Sequence, residues 1–134
     1  MADGIEVIAN TFRLLDSDSY EQVLELIHER FVMETPGRLA SEPDVYRGPE
    51  GVRRWWESFL EAMDRVRLEV EEIHPIDRDR ALVEFRIKAR GRATGIETEQ
   101  GAVGLATASE GKLIGLEFFI DLEHAQAAAG LPAS

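Results

Sequence analysis

The main change of period along the apolar positions of this chain falls after Met63. Most recur at helical spacing before it and alternate with polar residues beyond it. Ile5, Ile8, Ala9, Phe12 and Leu15 form a helical stripe, which predicts a first helix from about Ala2 to Leu15. Asp16-Ser17-Asp18-Ser19 breaks that helix. Ser19 with Gln22 is a capping-box pattern, opening a second helix through Val23, Leu24 and Ile27. Phe31, Met33 and Thr35 alternate with Val32 and Glu34, as in a short strand ended by Pro36-Gly37. Arg38 to Pro43 reads as loop, and Val45 to Arg47 as a brief extended piece.

The clearest helix start follows. Gly48 takes the cap, Pro49 the first helical position where no N–H partner is lost, and Glu50 meets the positive end of the helix dipole. Val52, Trp56, Phe59, Leu60 and Met63 line one face, and both tryptophans, Trp55 and Trp56, lie in this stretch. A large aromatic face of this kind closes a core or walls a pocket, and in a hollow fold one surface does both.

Beyond it, Val66, Leu68 and Val70 oppose Arg67, Glu69 and Glu71, and the apolar phase then slips to Ile73, as at a β-bulge near Glu71-Glu72. Asp77-Arg78-Asp79 is a turn. Val83, Phe85, Ile87 and Ala89 against Glu84, Arg86, Lys88 and Arg90 make a two-faced strand, ended by the Gly91–Gly95 bend. Val103, Leu105 and Thr107 carry the apolar parity of the next strand, with small Ala102, Gly104 and Ala106 on the other. Ser109-Glu110-Gly111 is a tight turn. Ile114, Leu116, Phe118 and Ile120 then alternate, and Asp121 caps a last helix that Gly130 stops. Helices followed by four strands on short turns predict one α+β domain, residues 1–134, with a mostly antiparallel sheet.

Composition narrows the function. The net charge of −11 over 134 residues disfavours nucleic acid and anionic membranes as partners. Without cysteine there is no disulfide, thiolate chemistry or cysteine-type zinc site. The start MADGIEV lacks the basic and apolar parts of a signal peptide, and no apolar run is long enough to span a bilayer, so a cytoplasmic protein is expected.

The order of elements, the segment Tyr46-Arg47-Gly48-Pro49-Glu50-Gly51-Val52-Arg53, the bend Gly91-Arg92-Ala93-Thr94-Gly95, and the ending Glu110-Gly111-Lys112-Leu113 … Phe119-Ile120-Asp121 … Ala127-Ala128-Ala129-Gly130-Leu131 together resemble the nuclear transport factor 2-like fold. Within it, the SnoaL-like group is the nearest resemblance, and it covers nearly the whole chain. The resemblance implies a cone-shaped α+β barrel: a strongly curved, mostly antiparallel sheet wrapped around the N-terminal helices, with a deep apolar pocket. It also implies a homodimer through the outer sheet face.

Three enzyme groups on that fold supply positions to compare. Ketosteroid isomerases carry a general-base aspartate where this chain has Thr35, which cannot accept a proton from carbon at neutral pH. Their buried oxyanion-stabilising acid corresponds to Val103. Limonene epoxide hydrolases and SnoaL polyketide cyclases use an aspartate at the position of Phe118, and the hydrolases an arginine and aspartate at Phe85 and Ile87. Phe85, Ile87, Val103 and Phe118 fall on the parity that alternation alone makes apolar, so the inside of the cone is expected to carry no obvious acid or base.

Other candidates read as structural. Glu84, Arg86 and Glu117 are expected on the outer face, where Phe119 and the small Ala102, Gly104 and Ala106 suit a dimer contact. Asp121 is an N-cap. His28, His74 and His124 show no metal-site spacing, so no metal and no cofactor is expected; the bulge is what would turn His74 inward. Tyr46, Asp44 and Glu34 are expected near the cone mouth, where desolvation would suit a general base. The expected ligand-binding set is Phe31, Met33, Thr35, Tyr46, Trp56, Phe59, Phe85, Ile87, Val103 and Phe118, around a small hydrophobic or aromatic molecule. No catalytic residue is assigned. Two functions fit: a pocket protein, with isomerase-, cyclase- or hydrolase-type chemistry as its enzymatic form, or a non-catalytic dimeric module with a filled cone.

Overall fold

In the computed structural model the stripe at the start of the chain becomes helix α1, Gly4–Asp16, burying Val7, Ile8, Thr11, Phe12 and Leu15. The structure describes residues 4–16, 20–35 and 44–130. The Ser19 cap, the Pro36-Gly37 stop and the loop at 38–43 therefore lie outside the described residues. Thr11 is the one polar member of the stripe; its hydroxyl donates to the Val7 carbonyl at 2.8 Å, so its burial leaves no unmet donor.

Helix α2, Tyr20–Glu25, is shorter than the sequence indicates. Ile27 does not continue it but opens strand β1, Ile27–Thr35. The cause lies far along the chain: the Leu113 N–H donates to the Leu26 carbonyl at 2.7 Å and Ile27 pairs with Leu113, so a sheet ladder captures backbone groups that a further helical turn would have used. Strand β2, Asp44–Arg47, leads directly into helix α3, Gly48–Ala62. The junction is Gly48, whose φ of 66° lies in the left-handed region that glycine occupies without a steric penalty.

The later strands are β3 (Met63–Pro75), β4 (Arg80–Gly91), β5 (Glu97–Ser109) and β6 (Lys112–Phe119). Among the described residues they form one six-stranded sheet in the order β2-β1-β6-β5-β4-β3, antiparallel except where β1 runs parallel to β6. The register of β3 on β4 shifts between Val70 and Glu72, at the bulge indicated by the slipped alternation. Strands of this length, at about 3.3 Å per residue, accumulate enough twist to curl around whatever covers one face. Helices α1 and α3 pack against that face. Helix α4, Leu122–Ala128, starts at Asp121, which is extended and accepts from the His124 N–H at 2.8 Å, as its sequence implies. It packs against β4, β5 and β6.

The β4–β5 pairing fixes which side chains face the helices. Phe85 pairs with Ala102, Val83 with Gly104 and Ala81 with Ala106, so the small residues of β5 point into the core. The opposite parity had been expected inside, and that expectation is corrected. Val103 packs with Leu82 and Ala125, with Leu105, Phe119 and Leu122 beside them, in a second cluster under α4. The physical reason is space. A Cβ on Gly104 would lie 3.1 Å from Leu116 Cδ1, 3.6 Å from Phe12 Cζ and 3.7 Å from Phe118 Cε1, so β5 must present small residues where these side chains converge. Ala102, Gly104 and Ala106 thus do not form a flat outer face, and Phe119 is occupied by α4. On β6, Leu113 is buried and Ile114 only half-buried, because the register slips between Thr107 and Ala108.

Gly104→Val measures this facing directly. Overpacking at this site should cost about 1–3 kcal/mol in urea unfolding at unchanged m-value. An outward-facing strand position would be neutral or gain stability from the β-branched side chain.

Candidate functional site

The space between the helices and the sheet is filled by a run of aromatic rings. Phe12 of α1 lies 5.7 Å from Phe85 of β4, Phe85 5.6 Å edge-on from Phe118 of β6, and Phe118 5.7 Å from the stacked ring of Trp55, which is 5.8 Å from Trp56. Four elements contribute, and each ring sits within the separation at which aromatic pairs attract. Phe31, Met33, Leu68 and Val83 are buried in the same cluster. Tyr46 closes it on the β2 side, with the Arg54 guanidinium 4.7 Å above its ring.

Of the expected ligand-binding set, Phe31, Met33, Tyr46, Trp56, Phe85 and Phe118 therefore share one buried cluster, and Ile87 packs against it half-buried. Val103 does not join them. The side chains of Thr35, Phe59 and Asp44 lie outside the described residues. Sequence reading left out Phe12 and Trp55, which touch three of the rings. The signal was there for Trp55, since it lies three residues after Val52 on the same helical stripe.

Among the described residues no carboxylate, lysine or arginine is buried. The buried polar side chains among the described residues are Thr11 and His28. His28 accepts from the Arg30 N–H through Nδ1 at 3.0 Å and turns Nε2 to Glu110 beside the β5–β6 turn, 3.7 Å away. The described walls of this interior are apolar and aromatic, with nothing among them to move a proton.

Charged groups lie on the outer face. Glu34 had been expected at the cone mouth; it instead pairs in register with Glu117 and shares with it an open cavity of about 220 Å3, bordered by Val32, Leu105 and Thr107. Burial, with the nearby Glu34 charge adding to it, pushes the Glu117 carboxyl above its ordinary value. A second open cavity, of about 300 Å3, lies among Arg67, Lys88, Arg90, Glu97 and Glu99. Here ion pairs dominate: Lys88 with Glu69 at 2.9 Å, Arg90 with Asp64 at 2.9 Å, and Arg86 with Glu99. The bulge does not turn His74 inward. It leaves His74 on the outer side with Glu84 and Glu72, a grouping hidden in the sequence because it depends on cross-strand register.

A curved antiparallel sheet wrapped on helices, with an aromatic interior, defines the nuclear transport factor 2-like fold. A nuclear transport factor 2-like protein from Burkholderia thailandensis superposes with a TM-score of 0.80 over 98% of this chain and 100% of its own, at 19% identity. The protein RV0760c from Mycobacterium tuberculosis, solved in complex with estradiol-17beta-hemisuccinate, gives 0.75 over 89% and 94%, at 19% identity. A protein with a ketosteroid isomerase-like fold from Catenulispora acidiphila, in complex with trimethylamine, gives 0.72 over 95% and 94%, at 12% identity. The SnoaL-like domain model matches residues 8–115, and the chain belongs to that family. No curated protein matches it in sequence. Among the described residues no helix is long and apolar enough to cross a membrane.

Two substitutions separate the faces. Phe118→Ala should cost about 3–5 kcal/mol in chemical unfolding, because Phe85 and Trp55 lose a ring they contact. Glu117→Gln should instead stabilise the chain at pH 7. A carboxyl raised in the folded state favours the protonated fold, so its penalty sets in as pH rises through the unfolded value of about 4.3 and is complete above the folded one. Melting temperatures of the two proteins should therefore differ at pH 7 and converge below about pH 4.

Proposed function

We propose that this chain, acting as a single domain, binds a small hydrophobic or aromatic molecule against the aromatic wall of the cone, without turning it over. The observation that carries this reading is the run Phe12–Phe85–Phe118–Trp55–Trp56, set in an interior whose described side chains include no acid or base. Flat apolar ligands gain most from such surfaces, through area removed from water and offset stacking. The small molecules held by RV0760c and by the Catenulispora acidiphila protein support the fold's capacity for the task. The proposed lining among the described residues is Phe31, Met33, Tyr46, Trp56, Phe85, Ile87 and Phe118. The same reading places the protein in the cytoplasm as a homodimer joined at the outer sheet face, where Val32 and Leu105 offer apolar area.

The second reading, a cone filled by its own side chains, is favoured by the close mutual contact of the same rings. A thermal-shift screen distinguishes the two. Estradiol hemisuccinate and a panel of flat aromatic compounds are added to the wild-type chain, Trp56→Ala and the gentler Trp56→Phe. A ligand at about a hundred times its Kd stabilises by about 2.7 kcal/mol. The pocket reading expects at least one such hit, weakened by both substitutions. A screen with no hit supports the filled cone, and a hit untouched by both places the ligand on another surface.

A further inference from the structure

On the outer side of β3 and β4, Glu72 and Glu84 are cross-strand partners, an arrangement that like charges normally disfavour. The bulge after Val70 creates it, by bringing Glu72 into register with Glu84 and His74 opposite Leu82. His74 Nε2 lies 2.6 Å from Glu84 Oε2 and 3.7 Å from Glu72 Oε2, and one donor atom from each residue falls within 4.8 Å of the other two.

The surrounding charges make this trio distinct. Neighbouring outer-face carboxylates are matched by strong bases: Glu69 by Lys88, Asp64 by Arg90, Glu99 and Glu71 by Arg86. Among the described ion pairs Glu72 and Glu84 face only an imidazole, which carries no charge when deprotonated. Two carboxylates opposed across the ladder thus share one imidazole, with no lysine or arginine among their described ion pairs.

We propose that Glu72, His74 and Glu84 form a binding site for one divalent cation of intermediate softness, represented by Zn2+, which ties β3 to β4 across the bulge. The donor set of one imidazole nitrogen and two carboxylate oxygens suits such an ion, whereas Mg2+ and Ca2+ take oxygen alone. At metal–ligand distances of about 2.0–2.2 Å, tetrahedral donors stand roughly 3.4 Å apart. The histidine–Glu84 pair must therefore open, and the carboxylates close in, by side-chain rotation. Side-chain exposures of 36% for His74, 30% for Glu84 and 65% for Glu72 leave room for that and for entry from solvent. The fourth position would hold water.

Isothermal titration of the full chain, stripped with a chelator, with Zn2+ provides the test. One ion per chain is expected, with affinity reduced about tenfold or more by His74→Ala and by Glu84→Gln, each verified as folded by circular dichroism. His124→Ala, which removes the exposed histidine beside Asp121, should leave it unchanged. Co2+ should give a visible absorption band that His74→Ala abolishes. No Zn2+ binding, binding that survives both site substitutions, binding lost in His124→Ala, or Ca2+ held as tightly as Zn2+ would each overturn the site.

Discussion

The convergence of large rings on a strand of small residues governs this structure. Phe12, Phe118 and Leu116 all come within 4 Å of where a Cβ on Gly104 would stand. Protein interiors are packed too densely to absorb extra volume there without movement. That one constraint decides the facing of β5, and through its register the facing of β4 and β6 on either side. It also decides where α1 can lie, since the Phe12 ring needs the gap that Ala102, Gly104 and Ala106 leave. The larger β5 residues are thereby sent to the opposite side, where α4 covers them.

The same constraint explains which parts of the fold could be read from the chain. On β4, one parity is Val, Phe, Ile and Ala and the other is largely charged, so alternation identifies the inner face without ambiguity. The slip after Val70 was legible for the same reason. On β5 both parities are uncharged from Ala102 to Ala108, and the rule that the larger apolar residues face the core selects the wrong one. A strand covered on both sides carries no such signal, and only its partners decide. The start of β1 was hidden likewise, because Ile27 fits a helical stripe and is diverted by Leu113, 86 positions further along the chain. Within the site, Phe85 and Phe118 were legible as inward residues, whereas Val103 was not. The Glu72–His74–Glu84 grouping depends on cross-strand register, which local spacing does not encode.

Function follows from how polarity is distributed between the two faces. The inner face joins aromatic rings from two helices and two strands and carries neither a carboxylate nor a base among its described side chains. The acids and bases lie outside, as ion-paired ladders on β3, β4 and β5, as the Glu34–Glu117 pair, and as the histidine flanked by two glutamates. At the positions where enzymes of the resembling groups place acids, this chain has Phe85, Ile87 and Phe118 turned toward the interior. Binding by burial and stacking is the chemistry such walls support. Any ion chemistry belongs to the outer surface.

The central claim, that the interior aromatic wall is where a small apolar molecule binds, is tested most directly by nuclear magnetic resonance. A flat aromatic compound is titrated into isotope-labelled protein and the two indole N–H resonances of Trp55 and Trp56 are followed. Saturable shifts of both indoles, together with the amides of Phe85 and Phe118 and without change at Leu105 and Glu117, are the predicted result. Shifts confined to Leu105, Thr107 and Glu117, or none at any concentration the compound allows, would contradict it.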